Sequence, residues 1–149
     1  MIIKLPIKPL SYNAYYRNTK SGHRVKTGAG LAYEEELEMM ISGHSNELAQ
    51  FGESLDLSKY MIKITIYNFK SDFYIKDGSR INLTAGDWDN PIKVLQDKLF
   101  KQIGIDDIFI KWGEVIDLPS TDTDGIIVMM EKRPLPEAIS FEDFTIGEY

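Results

Sequence analysis

The residues with the clearest chemical potential lie in one acidic segment, GDWDNPIKVLQDKLFKQIGIDD, at residues 86–107. Asp87 and Asp89 are two positions apart, and on an extended backbone such residues point to the same side of the chain. Both precede a segment with helical periodicity, and a helix N-terminus favours nearby negative charge. Carboxylate oxygens are hard ligands, which suit Mg²⁺ or Mn²⁺ rather than zinc or copper. The spacing therefore predicts part of an oxygen-only metal site.

A second acidic pair, Asp106 and Asp107, follows the same predicted helix. A helix of about 13 residues is about 20 Å long, so this pair starts far from the first one. The two pairs meet only if the chain turns back after the helix, as it would before a strand antiparallel to that helix. With that return, Asp87, Asp89 and Asp107 would form a carboxylate cluster that suits Mg²⁺ and phosphoryl transfer.

Lys93 falls in the first turn of the predicted helix, where a positive charge opposes the helix dipole. A lysine there is unfavourable for the helix but well suited to neutralise a phosphate. An alternative interpretation stays open, in which Lys93 only pairs with Asp97 one helical turn later, a contact worth a few tenths of a kcal/mol.

The composition limits the chemistry that the chain can support. Its 149 residues include no cysteine and two histidines, and its formal net charge is −6. These counts exclude disulfides, thiolate zinc sites, a cysteine nucleophile and a histidine-rich metal cage. No stretch approaches the roughly 20 apolar residues that a membrane span needs, and the opening MIIKLPIKPL is too short and proline-rich for a secretory signal. We therefore expect a cytoplasmic protein without a membrane partner.

Positive charge is concentrated at the start of the chain. Residues 1–33 contain no Asp or Glu, whereas residues 137–149 contain no Lys or Arg. This asymmetry indicates one localised positive surface in the N-terminal third. The alternative is chance sorting of charges over a solvated surface.

The elements that must position the acidic segment are predicted from periodicity and turn chemistry. Apolar residues at three- and four-residue steps predict helices at about 30–50 and 91–103, the second beginning after Asn90 and ending before Gly104. Alternation and β-branched residues predict strands, and Pro6 marks the first as an edge strand or a strand end. The strands and a small hairpin are expected at 2–7, 60–69, 73–84, 108–118 and 126–131, and a loop at 8–28.

The order of these elements predicts an α+β domain in which one mixed sheet packs with two main helices. This domain spans residues 1–133, and an acidic tail follows at 134–149. Asp122 and Asp124 form a second Asp-x-Asp, in the PSTDTDG segment between the last two strands. There an Asp-Gly hairpin turn is the favoured interpretation and a metal site is the alternative.

The acidic segment resembles the RusA family of Holliday junction resolvases, small homodimeric endonucleases often encoded by phages and prophages. The resemblance lies in the run Asp87-Trp88-Asp89-Asn90, then Lys93, then Asp106-Asp107 after a helix and a glycine. The N-terminal segment is also similar to that family's opening, through Pro9, Ser11, Asn13, Tyr15, Tyr16 and Arg17. The similarity covers roughly residues 2–131.

The resemblance implies a RusA-like fold and a Mg²⁺-dependent endonuclease, with Mn²⁺ as an alternative ion. Such an enzyme would resolve four-way DNA junctions in recombination and repair as a homodimer, in a bacterial host and with a phage or prophage origin. Asp87, Asp89 and Asp107 would bind the metal, and Lys93 would be the essential lysine near the scissile phosphate. Phosphate and base contacts would come from the acid-free N-terminal segment, through Asn13, Tyr16, Arg17, Lys20, Arg24 and Lys26.

The sequence departs from that family in three respects. The family's basic run before the first aspartate is replaced here by SRINLTAG, whose single basic residue is Arg80. The net charge is acidic, and the tail after Pro134 has no counterpart. Two other functions therefore stay open: a junction-binding module without catalysis, and a phage regulatory protein that binds a protein partner through its acidic tail. The tyrosines of the N-terminal segment have a structural alternative as well, since they would also pack a loop onto the sheet.

Overall fold

The computed structural model describes residues 1–10, 12–75, 77, 80–82 and 92–147, with backbone only at residues 12 and 13. These residues form an α+β fold with a mixed four-stranded sheet. Its strands are β1 (Ile2–Leu5), β4 (Tyr60–Lys70), β5 (Ile110–Pro119) and β6 (Gly125–Pro134). The helices are α1 (Tyr12–Tyr15), α2 (Gly28–Ser42), α3 (Ser45–Glu53) and α4 (Ile92–Ile103), and a small separate sheet contains β2 (Tyr16–Asn18) and β3 (Arg24–Lys26).

The strand order of the main sheet is β1-β6-β4-β5. β4 and β5 run parallel, whereas β6 is antiparallel to both of its neighbours, β1 and β4. β1 lies at the edge, as Pro6 directly after it predicts. β5 and β6 flank β4 and do not pair with each other, so the expected Asp-Gly hairpin turn between them is wrong.

The connection from β5 to β6 instead passes over the end of β4, and its carboxylates hold it there. Asp124 Oδ1 accepts hydrogen bonds from the backbone N–H and the hydroxyl of Ser71, at 2.6 and 3.0 Å. Asp122 Oδ1 accepts from the Thr123 N–H at 2.8 Å and from the Ser120 hydroxyl at 2.9 Å. Both aspartates therefore stabilise a loop. This is a turn-forming role rather than a metal site, although the turn is not that of a hairpin.

The core lies on one face of the main sheet, because alternate strand residues are buried there. Ile62, Ile64 and Ile66 of β4 are each at most 2% exposed. Full burial of such a side chain contributes ~2 kcal/mol relative to exposure. They share one apolar cluster with Ile3, Leu5, Leu37, Ile41, Leu48, Leu95, Leu99, Phe100, Ile103, Ile126, Val128 and Met130.

The single helix expected at about 30–50 is two helices, α2 and α3, so the sheet packs with three longer helices rather than two. The break lies at Gly43 and His44, whose backbone N–H groups bond to the carbonyls of Met40 and Ile41. His44 has φ −108° and ψ 14°, which is not helical. The buried stripe continues from α2 into α3, which explains why the periodicity alone indicated one helix.

α4 occupies the predicted position and ends as predicted. Leu95 and Leu99 are fully buried, and Gly104 follows the helix with φ +83°. Its N–H bonds to the carbonyl of Phe100 at 3.0 Å, which is a helix-terminating contact that glycine permits at positive φ. The predicted start at Asn90 and Pro91 lies outside the described residues.

One polar end of the main sheet contains a buried ion pair. Lys70 Nζ lies 2.6 Å from Asp117 Oδ2, and the Lys70 side chain is 7% exposed. Asn68 donates to the other carboxylate oxygen, Oδ1, at 3.1 Å. This network joins β4 to β5 at the end where both strands finish.

Two further expectations fall on the connecting segments. The loop expected at 8–28 contains α1 and a hairpin of β2 and β3, in which Tyr16 pairs with Lys26 and Arg17 with Val25. The expected 73–84 hairpin is represented by one antiparallel bridge, Tyr74 with Ile81, and its other residues are only partly described. Residues 135–147 contain no helix or strand.

None of the helices in the described part of the chain has the length and apolar character that crossing a bilayer requires.

Candidate active site and nucleic-acid surface

Lys93 and Asp107 come together although most of α4 separates them in the sequence. Lys93 Nζ lies 3.4 Å from Asp107 Oδ2. After Gly104 the chain forms a 3₁₀ turn, Asp107–Phe109, whose first N–H groups are capped by Asp106: its Oδ1 accepts from Ile108 N–H at 3.0 Å. The expected return of the chain toward α4 is therefore observed, and the carboxylate of Asp106 is engaged in capping.

Lys93 has a second carboxylate partner on its own helix. Its Nζ lies 3.0 Å from Asp97 Oδ1, so the alternative pairing expected from the sequence forms together with the Asp107 contact. The hydrogen bond with Asp97, followed by that with Asp107, raises the pKa of Lys93 above its usual range. Lys93 is thus a positive charge shared by two acidic side chains, and its own side chain is 75% exposed.

Of the predicted metal ligands, Asp107 alone falls in the described part of the chain. Asp87 and Asp89 lie outside the described residues, as does Trp88 between them. Within those residues, no group of three or more His, Asp or Glu side chains could hold a metal ion. Asp107 itself suits a hard cation, because its carboxylate is 26% exposed and its Oδ2 faces a single ammonium.

The β2–β3 hairpin gathers most of the predicted nucleic-acid contacts on one small element. Tyr16 and Arg17 lie on β2 and Arg24 and Lys26 on β3, with Lys20 in the turn between them. All four basic residues are exposed, and the Arg24 guanidinium lies 5.5 Å from the centre of the Tyr16 ring. The side chain of Asn13 lies outside the described part of the structure.

The hairpin is fixed to the start of α2 by Thr27. The Thr27 hydroxyl donates to the carbonyl of Ala14 at 2.6 Å and accepts the Gly30 N–H at 3.0 Å, which caps the helix. Gly30 is required by this approach, because a Cβ there would lie 2.6 Å from the Tyr15 carbonyl oxygen. Lys26 also reaches α2, and its Nζ lies 2.9 Å from Glu34 Oε1.

A cleft of about 320 Å³ separates the hairpin from α4. We call it the hairpin–helix cleft. The hairpin side presents Tyr15, Tyr16 and Lys26, and the α4 side presents Lys93, Val94 and Lys98. Tyr33 and Glu34 of α2 complete its walls with Leu10 and Asp97. The predicted catalytic lysine and the hairpin that carries most of the predicted DNA-binding residues therefore border the same cavity.

The surroundings of five titratable groups of the cleft favour the ordinary charge states of Tyr15, Lys26, Tyr33, Glu34 and Lys93 near neutral pH. Burial raises the pKa of Tyr33 to about 12, and burial together with the nearby Glu34 carboxylate raises that of Tyr15 further. Burial opposes ionisation of Glu34, but the nearby Tyr15 hydroxyl and the Lys26 ammonium outweigh it and lower the pKa of Glu34. The cleft thus offers two neutral phenols, one carboxylate from α2, and the protonated lysines Lys26 and Lys93.

Sequence reasoning did not identify Tyr33, Glu34 and Lys98 as neighbours of Lys93. Tyr33 packs in the core and also lines the cleft. Glu34 carried one signal, because it is the first acidic residue after the basic N-terminal segment.

Comparison with protein-family models and with curated proteins finds no match to this chain.

Proposed function

We propose that this protein is a Mg²⁺-dependent endonuclease that cuts four-way DNA junctions. The observation that carries the proposal is the contact between Lys93 and Asp107, 3.4 Å apart, since the function requires a lysine beside a carboxylate ligand. The order of Asp87, Asp89, Lys93 and Asp107 along the chain supports it, through the resemblance to the RusA resolvases.

The proposed mechanism is hydrolysis of a phosphodiester. Asp87, Asp89 and Asp107 would hold the cation. A bound Mg²⁺, or Mn²⁺ in its place, would supply an activated water and neutralise charge at the phosphate. Lys93 stays protonated and donates hydrogen bonds to the phosphate or to the leaving oxygen as negative charge develops there. Because Asp97 also contacts this ammonium, the Lys93 side chain would keep a carboxylate partner if Asp107 bound a cation.

The proposed DNA surface is the exposed face of the β2–β3 hairpin. Arg17, Lys20 and Arg24 would bind phosphates, and Tyr16 would stack or hydrogen-bond beside them. A homodimer would present two such sites to the two opposed strands of a junction, as the symmetry of the substrate requires. The same proposal includes action in a bacterial cytoplasm, in recombination and repair, and a phage or prophage origin.

The test is cleavage of a synthetic four-way junction, compared with linear duplex of the same sequence, in Mg²⁺ and in EDTA. We expect metal-dependent, paired nicks confined to the junction. Binding of the junction without cutting in either Mg²⁺ or Mn²⁺ would replace this proposal by the non-catalytic junction-binding module.

The tail favours a second candidate, a regulatory protein that binds a protein partner. Phe141 and Ile146 are each 92% exposed, and the acidic residues Glu142 and Asp143 lie between them. Apolar side chains at such exposure beside acidic ones suit a groove with basic edges. Deletion of residues 135–149 would abolish such an interaction while leaving junction cleavage unchanged.

A further inference from the structure

The hairpin–helix cleft has the dimensions of a small-ligand site. Its volume of about 320 Å³ lies at the lower end of the range of roughly 300–1,000 Å³ that is typical of ligand pockets. It lies between three elements, the β2–β3 hairpin, α2 and α4, whose relative positions are fixed by the Thr27 cap and by ion pairs. The cleft is therefore a formed cavity beside Lys93.

The walls of the cleft combine two kinds of side chain. Tyr16 supplies a half-buried aromatic ring, which meets the ring of Tyr15 edge to face with centres 4.6 Å apart, while Tyr15 and Tyr33 themselves are buried in the wall. Lysines from the hairpin and from α4 supply ammonium groups at the rim. Aromatic rings beside lysines are the combination with which proteins bind single-stranded nucleic acid, because bases stack on the rings and phosphates contact the ammonium groups.

The cleft also has polar groups within its apolar walls. The hydroxyls of Tyr15 and Tyr33 are buried; that of Tyr15 lies beside the Glu34 carboxylate and that of Tyr33 beside the backbone of Leu10, although neither contact has the geometry of a full hydrogen bond. A ligand with polar edges between apolar faces, which is the nature of a nucleobase, would suit such a cavity.

We propose that the hairpin–helix cleft binds one unstacked nucleotide of the DNA strand whose phosphate Lys93 contacts. This inference rests on the proposed function, because it places the nucleotide next to the bond to be cut. It also goes beyond that function by assigning Tyr33, Val94 and Lys98 to the substrate site. A four-way junction supplies such a nucleotide more readily than a duplex, since base pairs at the branch point are more easily opened.

The lysines at the rim already pair with carboxylates, so phosphate binding in the cleft needs the additional contact of a base. Lys26 pairs with Glu34 at 2.9 Å, and Lys98 pairs with Glu38 at 3.0 Å. A phosphate must compete with these carboxylates, so an isolated phosphate gains little from the cleft. A nucleotide adds stacking on the half-buried ring of Tyr16, which is worth roughly 5- to 100-fold in affinity for each base.

The experiment uses the full chain without metal and titrates it with the oligonucleotide dA5, following backbone amide signals by NMR. We expect the signals of Tyr16, Val94 and Lys98 to shift together along one binding curve. Inorganic phosphate at the same concentration should leave them unmoved. Shifts confined to Arg17, Lys20 and Arg24 would overturn the proposal, since they would show a surface contact without use of the cleft.

Two variants make the test specific. Val94→Phe fills the cleft and is expected to weaken dA5 binding about fivefold or more. Met39→Phe adds similar volume at a 69% exposed position of α2 outside the cleft, and it should leave binding unchanged. If Val94→Phe disturbs the fold, Tyr16→Leu removes one stacking ring and should cause a similar loss. Wild-type affinity in both cleft variants would overturn the proposal.

The outcome is separable from that of the proposed function. Junction cleavage by a protein whose cleft ignores dA5 would contradict the nucleotide site and leave the endonuclease proposal standing. Binding of dA5 in the cleft without junction cleavage would contradict the endonuclease proposal and support the cleft as a nucleotide site.

Discussion

Lys93 and Asp107 are 14 residues apart in the sequence, and their charged atoms lie 3.4 Å apart in the folded chain. The contact exists because Gly104 ends α4 at positive φ and the following 3₁₀ turn brings Asp107 back beside the helix. Asp97 contacts the same ammonium from within α4, at 3.0 Å. The lysine is therefore held in place before any substrate arrives.

Replacement of Lys93 by alanine should abolish most cleavage without unfolding the protein. We expect single-turnover cleavage of a four-way junction to fall by about 100- to 1,000-fold, the usual loss for one charge-stabilising donor. Lys101→Ala is the matched control, since Lys101 is an exposed lysine of the same helix that pairs with Glu38. Equal losses in both variants would remove Lys93 from the mechanism.

Asparagine at the predicted metal ligands should separate binding from cutting. Asp107→Asn and Asp89→Asn are each expected to keep the fold and junction binding while cleavage in Mg²⁺ falls by at least about 100-fold, because an amide is a weaker ligand than a carboxylate. Asp97→Asn keeps the proposed ligands and should retain most of the activity. Gel-shift and cleavage assays on the same junction measure both properties, and retained cleavage in Asp89→Asn would exclude Asp89 as a ligand.

The hairpin should make binding of the junction strongly dependent on salt. Each phosphate contact releases counterions, so removing Arg17 and Lys20 together should weaken binding and reduce the slope of log K against log salt by about two units. Lys111→Ala, at an exposed position of β5, serves as the control. A slope that is flat in the wild-type protein would show that the hairpin is not the DNA surface.

The buried pair of Lys70 and Asp117 should be important for stability. Asp117→Ala leaves the Lys70 ammonium, whose side chain is 7% exposed, without this carboxylate. We expect the free energy of unfolding to fall by about 3 kcal/mol in urea denaturation. The double variant with Lys70→Met and Asp117→Leu removes both charges and should be much closer to the wild type. A loss as large in the double variant would assign the effect to packing rather than to the loss of the ion pair.

Stability should decline at alkaline pH through Tyr33. Burial raises its pKa from 10.0 to about 12, so the folded state keeps the phenol proton to higher pH than the unfolded state does. The unfolded state therefore gains relative stability as pH rises above 10, and the free energy of unfolding should fall by about 1 kcal/mol from pH 10 to pH 11 on account of this residue. In Tyr33→Phe this part of the decline should be absent in urea titrations, and an unchanged slope would contradict the assignment.

Periodic segments with clear termini were predictable from the sequence. α4 was located by its apolar stripe and by Gly104, and β4 by alternation. The division between α2 and α3 was not predictable, because the same buried stripe continues across Gly43 and His44. The β2–β3 hairpin escaped prediction because strands of three residues are too short to show alternation.

Only the part of the candidate site that is formed by neighbouring segments of the chain was predictable from the sequence. The approach of Asp107 to Lys93 follows from a helix, a glycine and a return of the chain. The cleft depends on packing between α2, α4 and the hairpin, which are distant in the sequence, so nothing in the local pattern relates Tyr33 or Glu34 to Lys93. The same reasoning explains why β6 was not expected beside both β1 and β4, since strand order depends on long-range pairing.

The position of β6 has a consequence for how the chain folds during synthesis. Among the described strands, β6 is translated after the other members of the main sheet, yet it lies between β1 and β4. Until residues 125–134 leave the ribosome, β1 and one edge of β4 lack their β6 partner. Such long-range pairing slows folding and exposes strand edges to other nascent chains. Ribosome-stalled chains that end before Gly125 should therefore remain protease-sensitive, whereas chains that extend well beyond Pro134 should become resistant.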